Sequence, residues 1–523
     1  MFQLFLYFAA GRIMIFLMKY NVLSYIENSL RQYPDKTAVT DEKKSLSYSQ
    51  LYSVCRSVGA GIYLRTGEKK PVGVYMEKNA DSLCAMLGAC FAGCFYSSFS
   101  TELPSERLSK MAFVLRPALI ITSDELKEKA ASIFSGFDIV TFEQLLSEKN
   151  DESVLEGVRE RVIDTDPLYI NFTSGSTGTP KGIAVSHRSV IDFIDCFSET
   201  FGFSEADVFA NQAPFDFDVS VKDIYTAFKC SATLAVVPRR LFSAPAELID
   251  YLCEKKVTVM IWAVSALCLL STFHALDYRT PETVKKILFS GEVMPLKALK
   301  GFFKHLPDAM YVNLYGPTEI TCNCTYHILE KNRDYSNGIP IGKPFLNEDV
   351  FLLDGEDKKV TGADNIGEIC VRGTALALGY YACDEQNRAH FVQNPLNPYY
   401  PELIYRTGDL GRYGENGELF FCGRKDFQIK YMGHRIELEE IERAMGAIDG
   451  VERCCCLFDE KKSRLKGFYV GSIEKEELHN EMKEKLPAFM IPGMIRRVEE
   501  MPLTKNGKID RRALEENGGA RKN

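Results

Sequence analysis

A loop rich in glycine and hydroxyl groups constrains this chain more than any other feature. Residues 169–182 read YINFTSGSTGTPKG, in which an apolar start predicts a buried strand. The small residues that follow let backbone N–H groups approach a phosphate closely, and their hydroxyls add donors. The stretch therefore predicts a phosphate-binding loop formed by Thr173, Ser174, Gly175, Ser176, Thr177, Gly178 and the cation Lys181.

The P-loop of nucleoside triphosphatases is the main alternative for such a sequence. That motif needs glycine immediately before its lysine and serine or threonine immediately after it. Here Pro180 precedes Lys181 and Gly182 follows it, so the P-loop pattern fails at both positions.

The length and the order of predicted elements indicate the fold class. A chain of 523 residues exceeds the size of one hydrophobic core, so two or more domains are expected. Strand and helix patterns alternate over residues 20–142 and 233–289, which predicts βαβ units and parallel sheets, and glycine-rich β segments follow over 340–413. We predict an α/β protein with a large domain over 18–422, containing parallel-rich sheets layered with helices and a β-barrel-like subdomain. A small α+β lid domain is predicted over 423–523.

Charge and cysteine usage exclude several classes of function. The net charge of −8 does not indicate nucleic-acid binding. The sixteen cysteines lack the paired Cys-x-x-Cys spacing of a structural zinc site, and reduced thiols predict a cytoplasmic protein.

The first seventeen residues are apolar but do not form a convincing anchor. Gly11 and Arg12 interrupt them, and they lack a basic start and a cleavage site. We expect residues 1–17 to be a non-native or disordered extension, with translation starting at Met18, and we expect no stable membrane insertion.

Four more motifs follow this loop along the chain. They are NLYGPTE at 313–319, YRTGDLGR at 405–412, GRKDFQIKYMGHRIELEEIE at 423–442 and MPLTKNGKIDRR at 501–512. Together with the loop at 169–182, these motifs resemble the adenylate-forming superfamily, in particular the amino-acid adenylation enzymes of peptide-synthetase type. The segments QAPFDFDVSVKDIY and LFSGEVMP look most similar to the stand-alone D-alanine–D-alanyl carrier protein ligases.

The resemblance implies a two-step ligase reaction that uses ATP and Mg²⁺. A carboxylate first attacks the α-phosphate of ATP, giving an aminoacyl adenylate and pyrophosphate. A phosphopantetheine thiol on a carrier protein then attacks the adenylate. No carrier serine motif follows Arg512, so a separate carrier protein is expected.

The resemblance also implies roles for residues in the motifs. Lys508 would bridge the substrate carboxylate and the phosphate, Thr318 would contact the α-phosphate, and Glu319 would hold Mg²⁺. Asp409 would bind the ribose hydroxyls. Asp426 would be the hinge about which the small domain rotates. The remaining nucleotide-binding residues are Asn313 and Tyr315 at the adenine, Arg424, and the motif neighbours Leu314, Gly316 and Pro317.

The same resemblance places an amino-acid pocket around Asp218, whose carboxylate would pair with the substrate's α-ammonium group. The alternative is that Asp218 only caps a helix. The other predicted pocket residues are Val219, Lys222, Trp262, Leu288, Ser290, Leu314, Cys322 and Asn323. Lys222 and Trp262 depart from the D-alanine pattern, and the bulk of Trp262 favours a small amino acid. Alanine of either chirality and serine are favoured, and an acidic side chain remains an alternative.

Two other functions remain open from the sequence. An acyl- or aryl-CoA ligase would have no ammonium group to bind, so Asp218 argues against it. An inactive scaffold would bind ATP without releasing pyrophosphate, and the presence of Lys508, Asp409 and Glu319 argues against that.

Overall fold

The structure of the protein is a computed structural model. It describes the backbone of residues 4–9 and 12–17, and residues 21–517 except 149, 175–179, 427, 461 and 504–508. The predicted site residues Gly175, Ser176, Thr177, Gly178 and Lys508 therefore lie outside the described residues.

The large domain alternates strands and helices as the sequence predicts. Its strands are β1 Leu4–Ala9, β2 Arg12–Leu17, β3 Thr37–Thr40, β4 Ser45–Ser47, β5 Pro71–Tyr75, β6 Phe95–Ser98, β7 Leu119–Thr122, β8 Ile139–Thr141, β9 Pro167–Thr173, β10 Lys181–Ser186, β11 Val208–Asn211, β12 Thr233–Val236, β13 Val259–Ala263, β14 Lys286–Ser290, β15 Met310–Tyr315, β16 Thr325–Ile328, β17 Lys343–Pro344, β18 Glu348–Leu353, β19 Ile366–Gly373, β20 Gly379–Tyr380, β21 Phe391–Gln393, β22 Leu403–Tyr413 and β23 Leu419–Arg424. Its helices are α1 Leu23–Gln32, α2 Tyr48–Thr66, α3 Ala80–Phe91, α4 Ser105–Leu115, α5 Lys127–Ile133, α6 Phe142–Ser147, α7 Val158–Arg161, α8 His187–Phe201, α9 Val219–Lys229, α10 Pro245–Glu254, α11 Val264–Thr272, α12 Ala275–Tyr278, α13 Leu296–His305 and α14 Asp384–His390.

Two mixed sheets form the centre of this domain. One has the order β17-β16-β15-β14-β13-β11-β12-β3-β4, and the other β20-β10-β9-β6-β5-β7-β8. The pairs among β11, β12, β13, β14 and β15 are parallel, as the βαβ pattern predicts. The end pairs β15–β16 and β9–β10 are antiparallel. β1 and β2 pair with each other in antiparallel register.

Helices cover both faces of these sheets, so the strands read as nearly continuous apolar runs. The largest core lies between the two sheets and contains helices α2, α3, α8 and α9. Helices α10, α11 and α13 pack on the outer face of the nine-stranded sheet. Helices α4 and α5 pack on the outer face of the other sheet. The capping boxes of Ser47 with Gln50 and of Asn79 with Ser82 fix the starts of α2 and α3.

A third, antiparallel sheet follows in the glycine-rich region. Its order is β18-β19-β22-β21, with β23 beside β22. Its core includes Tyr315 and Ile320 from the end of the nine-stranded sheet. This β subdomain therefore packs directly against the NLYGPTE motif.

The small domain is a compact α+β unit. Its elements are β24 Gln428–Tyr431, β25 His434–Glu437, α15 Leu438–Gly446, β26 Val451–Asp459, β27 Arg464–Gly471, α16 Lys475–Lys485, β28 Met494–Arg497 and α17 Arg511–Asn517. β26, β27 and β28 form one sheet, and α15 and α16 pack on it through a core of their own. The domain boundary predicted between residues 422 and 423 falls within β23, which ends at Arg424.

The hairpin β24–β25 lies against the large domain. The Gly433 N–H donates to Glu292 Oε1 at 2.6 Å, and the Ser174 hydroxyl donates to the Arg435 carbonyl at 2.8 Å. Arg107 of α4 forms a buried ion pair with Glu440 of α15. In the part of the chain that the structure describes, no helix is both long and apolar enough to cross a membrane.

Candidate active site

The loop predicted to bind phosphate lies in the sequence between β9 and β10, which pair in antiparallel register. Thr173 ends β9 and lies opposite Lys181, the first residue of β10. The Lys181 ammonium donates to Gln386 Oε1 at 2.8 Å and lies 5.9 Å from the centre of the Tyr380 ring. Burial lowers the pKa of Lys181, although the charge of Glu437 opposes this effect. The described ends of the loop thus place a partly desolvated cation beside the site.

The NLYGPTE motif runs from β15 into a short 3-10 turn over Thr318–Ile320. The Tyr315 hydroxyl donates to Asp409 Oδ2 at 2.6 Å, and the Asn313 amide donates to the Pro340 carbonyl at 2.8 Å. A Cβ atom at Gly316 would lie 2.5 Å from the Asn323 Cα atom. Only glycine fits there without moving the backbone.

Asp409, Arg424 and Asp426 form a chain of ion pairs. Asp409 is almost completely buried and bonds to the Arg424 guanidinium, which also donates to Asp426 at 2.7 and 2.8 Å. Burial opposes the charge of Arg424, but hydrogen bonds to Asp426 and the charge of Asp409 raise its pKa overall. The predicted ribose-binding residue, its neighbouring arginine and the predicted hinge residue therefore lie together.

Glu319 is the predicted Mg²⁺ ligand, and it is 1% exposed. Its oxygens accept from Arg435 Nη1 at 2.9 and 2.8 Å and from the Tyr380 hydroxyl at 2.6 Å. Burial would raise the pKa of Glu319, but the charge of Arg435 and the hydrogen bonds to Glu319 together outweigh burial and lower that pKa. Glu319 is therefore ionised, and its charge is balanced by an arginine of the small domain.

The carboxylate oxygens of Glu319 are of the type that Mg²⁺ binds. Mg²⁺ prefers oxygen ligands and often takes one or two carboxylates together with substrate phosphates. Within the described residues, no cluster of three or more His, Cys, Asp and Glu side chains could hold a metal ion alone. Glu319 can supply one carboxylate, provided that Arg435 withdraws from it.

Asp218 directly precedes α9, but its side chain makes no capping hydrogen bond. The alternative role as a helix cap is therefore not observed. Burial raises the pKa of Asp218, while the charge of Lys222 and a hydrogen bond with Thr318 lower it. Asp218 thus lies next to the residue predicted to contact the α-phosphate.

Several predicted pocket residues surround Lys222 and Asp218. The buried Lys222 ammonium donates to Asn323 Oδ1 at 2.6 Å and approaches Ser290 Oγ at 3.4 Å. The Cys322 thiol donates to the Asp218 carbonyl at 3.1 Å. Leu288 and Leu314 belong to the same central core, and Val219 begins α9 in a half-buried position.

The prediction that Trp262 lines this pocket is wrong. Its indole N–H donates to the Ala210 carbonyl at 2.8 Å, and its ring packs on Phe242 in the core under α10 and α11. Successive side chains alternate across a sheet, so the adjacent Ile261 faces the core that contains Leu288. Ile261 pairs with Leu288 in the parallel register. Ile261, rather than Trp262, therefore lies on the pocket side of β13.

The sequence analysis assigned no role to three residues that the structure brings to the site. These are Tyr380, Arg435 and Lys430, whose ammonium lies 5.2 Å from the centre of the Tyr315 ring. Arg435 and Lys430 belong to the motif at 423–442, which was noted only as a family resemblance. The available signal was the alternation of these two cations with apolar residues such as Ile429 and Ile436.

The segment that contains Lys508 attaches to the small domain. Leu503 and Ile509, on either side of 504–508, form an antiparallel bridge. Arg511 donates to the Cys456 carbonyl at 2.7 Å and pairs with Glu442. Lys508 itself lies outside the described residues, so its role stays a prediction.

Family profiles agree with this arrangement of two domains. The AMP-binding enzyme profile matches residues 26–381, and the profile of the AMP-binding enzyme C-terminal domain matches residues 440–508. The chain belongs to the AMP-binding enzyme family. This AMP-binding enzyme is 32% identical over 505 residues to zwittermicin A synthase ZmaJ of Bacillus cereus, with 93% of each chain covered.

Longer relatives and a solved structure extend the comparison. The AMP-binding enzyme is 29% identical over 497 residues to surfactin synthase subunit 3 of Bacillus subtilis (strain 168), and this match covers 94% of this chain but 38% of that protein. The structure of holo-PA1221 is described as a nonribosomal peptide synthetase protein containing adenylation and PCP domains, bound to a vinylsulfonamide inhibitor. It is 25% identical, has a TM-score of 0.81, and covers 95% of this chain and 84% of its own. The chain is therefore a member of the adenylate-forming superfamily and is similar to the adenylation regions of peptide synthetases.

Proposed function

We propose that this enzyme activates an amino acid as an aminoacyl adenylate and transfers it to the phosphopantetheine arm of a separate carrier protein. The observation that carries the proposal is Asp218. Its carboxylate does not cap α9 and interacts with Thr318, so it is available beside the nucleotide motif. A carboxylate in this position suits an α-ammonium group, which a fatty or aryl acid lacks.

In the first step, a carboxylate oxygen of the amino acid attacks the α-phosphorus of ATP. The new P–O bond replaces the bond to pyrophosphate, which leaves. Asp218 would hold the ammonium group so that the substrate carboxylate points towards Thr318. Tyr315 and Asp409 would bind the adenosine, and bound Mg²⁺ on Glu319 would offset phosphate charge.

In the second step, the thiolate sulfur of phosphopantetheine attacks the carbonyl carbon of the adenylate. The carbon–oxygen bond to AMP breaks, and AMP leaves with that oxygen. The described arrangement has Arg435 on Glu319 and Lys430 on Tyr315, so the small domain supplies cations to the nucleotide side. We propose that rotation near Asp426 exchanges these groups for Lys508 between the steps.

ATP–pyrophosphate exchange across the amino acids tests the first step. We expect exchange with at least one amino acid and none with the corresponding acid that lacks the amine. Exchange with the deaminated acid alone would support an acyl-CoA ligase instead. ATP binding without exchange for any acid would support an inactive scaffold.

Loading of a panel of phosphopantetheinylated carrier proteins tests the second step. A covalent aminoacyl thioester on a carrier, released by hydroxylamine, is the expected product. Transfer to free coenzyme A at a higher rate than to any carrier would contradict the carrier assignment.

The predicted preference for alanine or serine rested partly on the bulk of Trp262. Since that ring lies on the other face of the sheet, the size argument no longer holds. The identity of the side chain then depends on the polar groups that remain, of which Lys222 is the most unusual.

A further inference from the structure

Lys222 is a fully buried ammonium group in the wall of the amino-acid pocket. It lies one helical turn after Asp218, so both residues face the same side of α9. Its two hydrogen-bond partners, Asn323 at 2.6 Å and Ser290 at 3.4 Å, are neutral. An ammonium has three donors, and the described residues supply no third partner.

The carboxylates near Lys222 do not pair with it directly. No carboxylate of the described residues lies within ion-pair distance of its ammonium, although Asp218 and Asp223 are close enough to influence it. Asp223 Oδ2 accepts from the Asn211 amide at 2.9 Å. Burial raises the pKa of Asp223 to about 7, so near neutral pH it carries only part of a negative charge. Burial lowers the pKa of Lys222, and the charges of Cys322, Asp218 and Asp223 oppose that effect, so the carboxylate of Asp218 helps to keep Lys222 charged before substrate binds.

Substrate binding changes this balance. If the α-ammonium group of the substrate pairs with Asp218, the negative charge of Asp218 is matched by the substrate. Lys222 is then left as a buried cation with neutral partners, which is strongly unfavourable. The substrate's own α-carboxylate cannot supply the balance, because it reacts at the phosphate.

We propose that the amino acid carries a second carboxylate on its side chain, and that Lys222 binds it together with Ser290 and Asn323. This inference rests on the proposed function. One negative and one positive side chain on the same face of α9 would then recognise the ammonium and the distal carboxylate. Leu288, Leu314 and Ile261 provide the apolar surroundings for the connecting carbon atoms.

Neutral side chains fit this site less well. Alanine would place a methyl group against the ammonium of Lys222. Serine could accept one hydrogen bond but adds no charge. The amides asparagine and glutamine have nearly the shape of the acids without their charge, which makes them the sharpest comparison.

The first experiment measures ATP–pyrophosphate exchange by the full chain with aspartate, asparagine, glutamate, glutamine, alanine and serine. We expect aspartate or glutamate to exceed its own amide by about 100-fold or more in kcat/KM. A wild-type preference for alanine, serine or an amide would overturn this inference and leave the proposed function intact. Exchange with no amino acid would overturn the proposed function itself.

The second experiment uses the variant Lys222→Met, which keeps the length of the side chain and removes its charge. We expect about a 100-fold loss with the acidic substrate and a reversed preference, in favour of the amide. The matched control is Lys229→Met on the same helix, because Lys229 pairs with Asp195 at 2.6 Å away from the pocket. The control should keep the preference for the acid.

An unchanged substrate profile in Lys222→Met would contradict the inference. A melting temperature well below that of the wild type would show that the variant has not folded properly. In that case the comparison of each acid with its amide in the wild-type enzyme decides the question without any substitution.

Discussion

The nucleotide side and the amino-acid side of the site are built differently. On the nucleotide side, Glu319 faces Arg435 and Tyr315 faces Lys430, so groups of the large domain are matched by groups of the small domain. On the amino-acid side, Lys222, Ser290 and Asn323 all belong to the large domain. The nucleotide side spans the domain interface, whereas the described hydrogen bonds of Lys222 lie within a single domain.

This difference separates selection from catalysis. Among the described residues, both hydrogen bonds of Lys222 are made to the large domain, so we expect this end of the pocket to recognise a side chain before any domain movement. Arg435 contacts both carboxylate oxygens of Glu319, so we expect Arg435 to leave Glu319 when Mg²⁺ binds there. We expect substitutions on the amino-acid side to change which acid reacts. We expect substitutions on the nucleotide side to change which step is slow.

The largest expected effect comes from Lys508→Ala, which breaks the mobile half of the comparison. Loss of the cation that bridges carboxylate and phosphate should lower pyrophosphate exchange by about 10²–10³-fold. Single-turnover loading of a carrier from preformed adenylate should change little. Lys505→Ala, three residues earlier in the same sequence motif, is the matched control. Equal losses in both steps would show that Lys508 does not act in one half-reaction only.

The fixed half of the site is tested by Asp218→Asn. Loss of the charge that pairs with the ammonium group should raise the KM for the amino acid by about 100-fold, with the KM for ATP nearly unchanged. The control is Asp216→Asn, two residues earlier, where burial raises the pKa of the carboxyl to about 6. If Asp216→Asn gave the larger change, Asp216 would be the ammonium-binding residue.

An intermediate effect is expected from Arg435→Ala at the interface. Arg435 competes with Mg²⁺ for Glu319, so its removal should lower the Mg²⁺ concentration for half-maximal exchange by about tenfold. Arg497→Ala is a suitable control, because Arg497 lies 3.7 Å from Glu474 at the exposed surface of the same domain. A higher Mg²⁺ requirement in Arg435→Ala would mean that Arg435 supports the metal site instead.

The smallest effect concerns Asp223, behind the amino-acid pocket. Burial raises its pKa from 3.8 to about 7, so the folded protein retains a proton that the unfolded chain releases. Its contribution to stability is therefore present at low pH and is lost as pH rises from about 4 to about 7. Asp223→Asn lacks this titration. The melting temperature of the variant minus that of the wild type should therefore rise by about 3 °C between about pH 4 and about pH 7.

The control for this last prediction is Asp308→Asn, a fully exposed position in the large domain. It should shift the melting temperature equally at every pH. A difference between Asp223→Asn and wild type that does not depend on pH would show that Asp223 is ionised in the folded protein throughout the range.

The sequence predicted the layered fold well because local patterns determine it. Alternating strands and helices specify parallel sheets, and the structure shows this alternation over residues 20–142 and 233–289. Asp409, Tyr315 and Glu319 each lie in a sequence motif, and the structure brings Tyr315 and Asp409 into a hydrogen bond.

The two failures have separate physical causes. Ile261 and Trp262 are adjacent and both apolar, and β13 is buried on both faces, so no polar alternation shows which of them faces the pocket. Arg435 and Glu319 are separated by 116 residues and meet only because the small domain lies on the large one. In the first case the sequence does not show which face of the strand each side chain occupies. In the second case it does not show where the small domain lies on the large one.

Gly316 lies where the backbones of the nucleotide side and the amino-acid side are in contact. Its α-carbon is pressed against the backbone of residues 322–324, which also carries the side chain that binds Lys222. Anyone redesigning this enzyme for a different acid could exchange Lys222 or Ser290 freely, but a change that shifts residue 323 would push the adenine-side turn out of place as well. Altered selectivity obtained through that backbone would come with slower turnover, whereas selectivity altered through side chains alone would not.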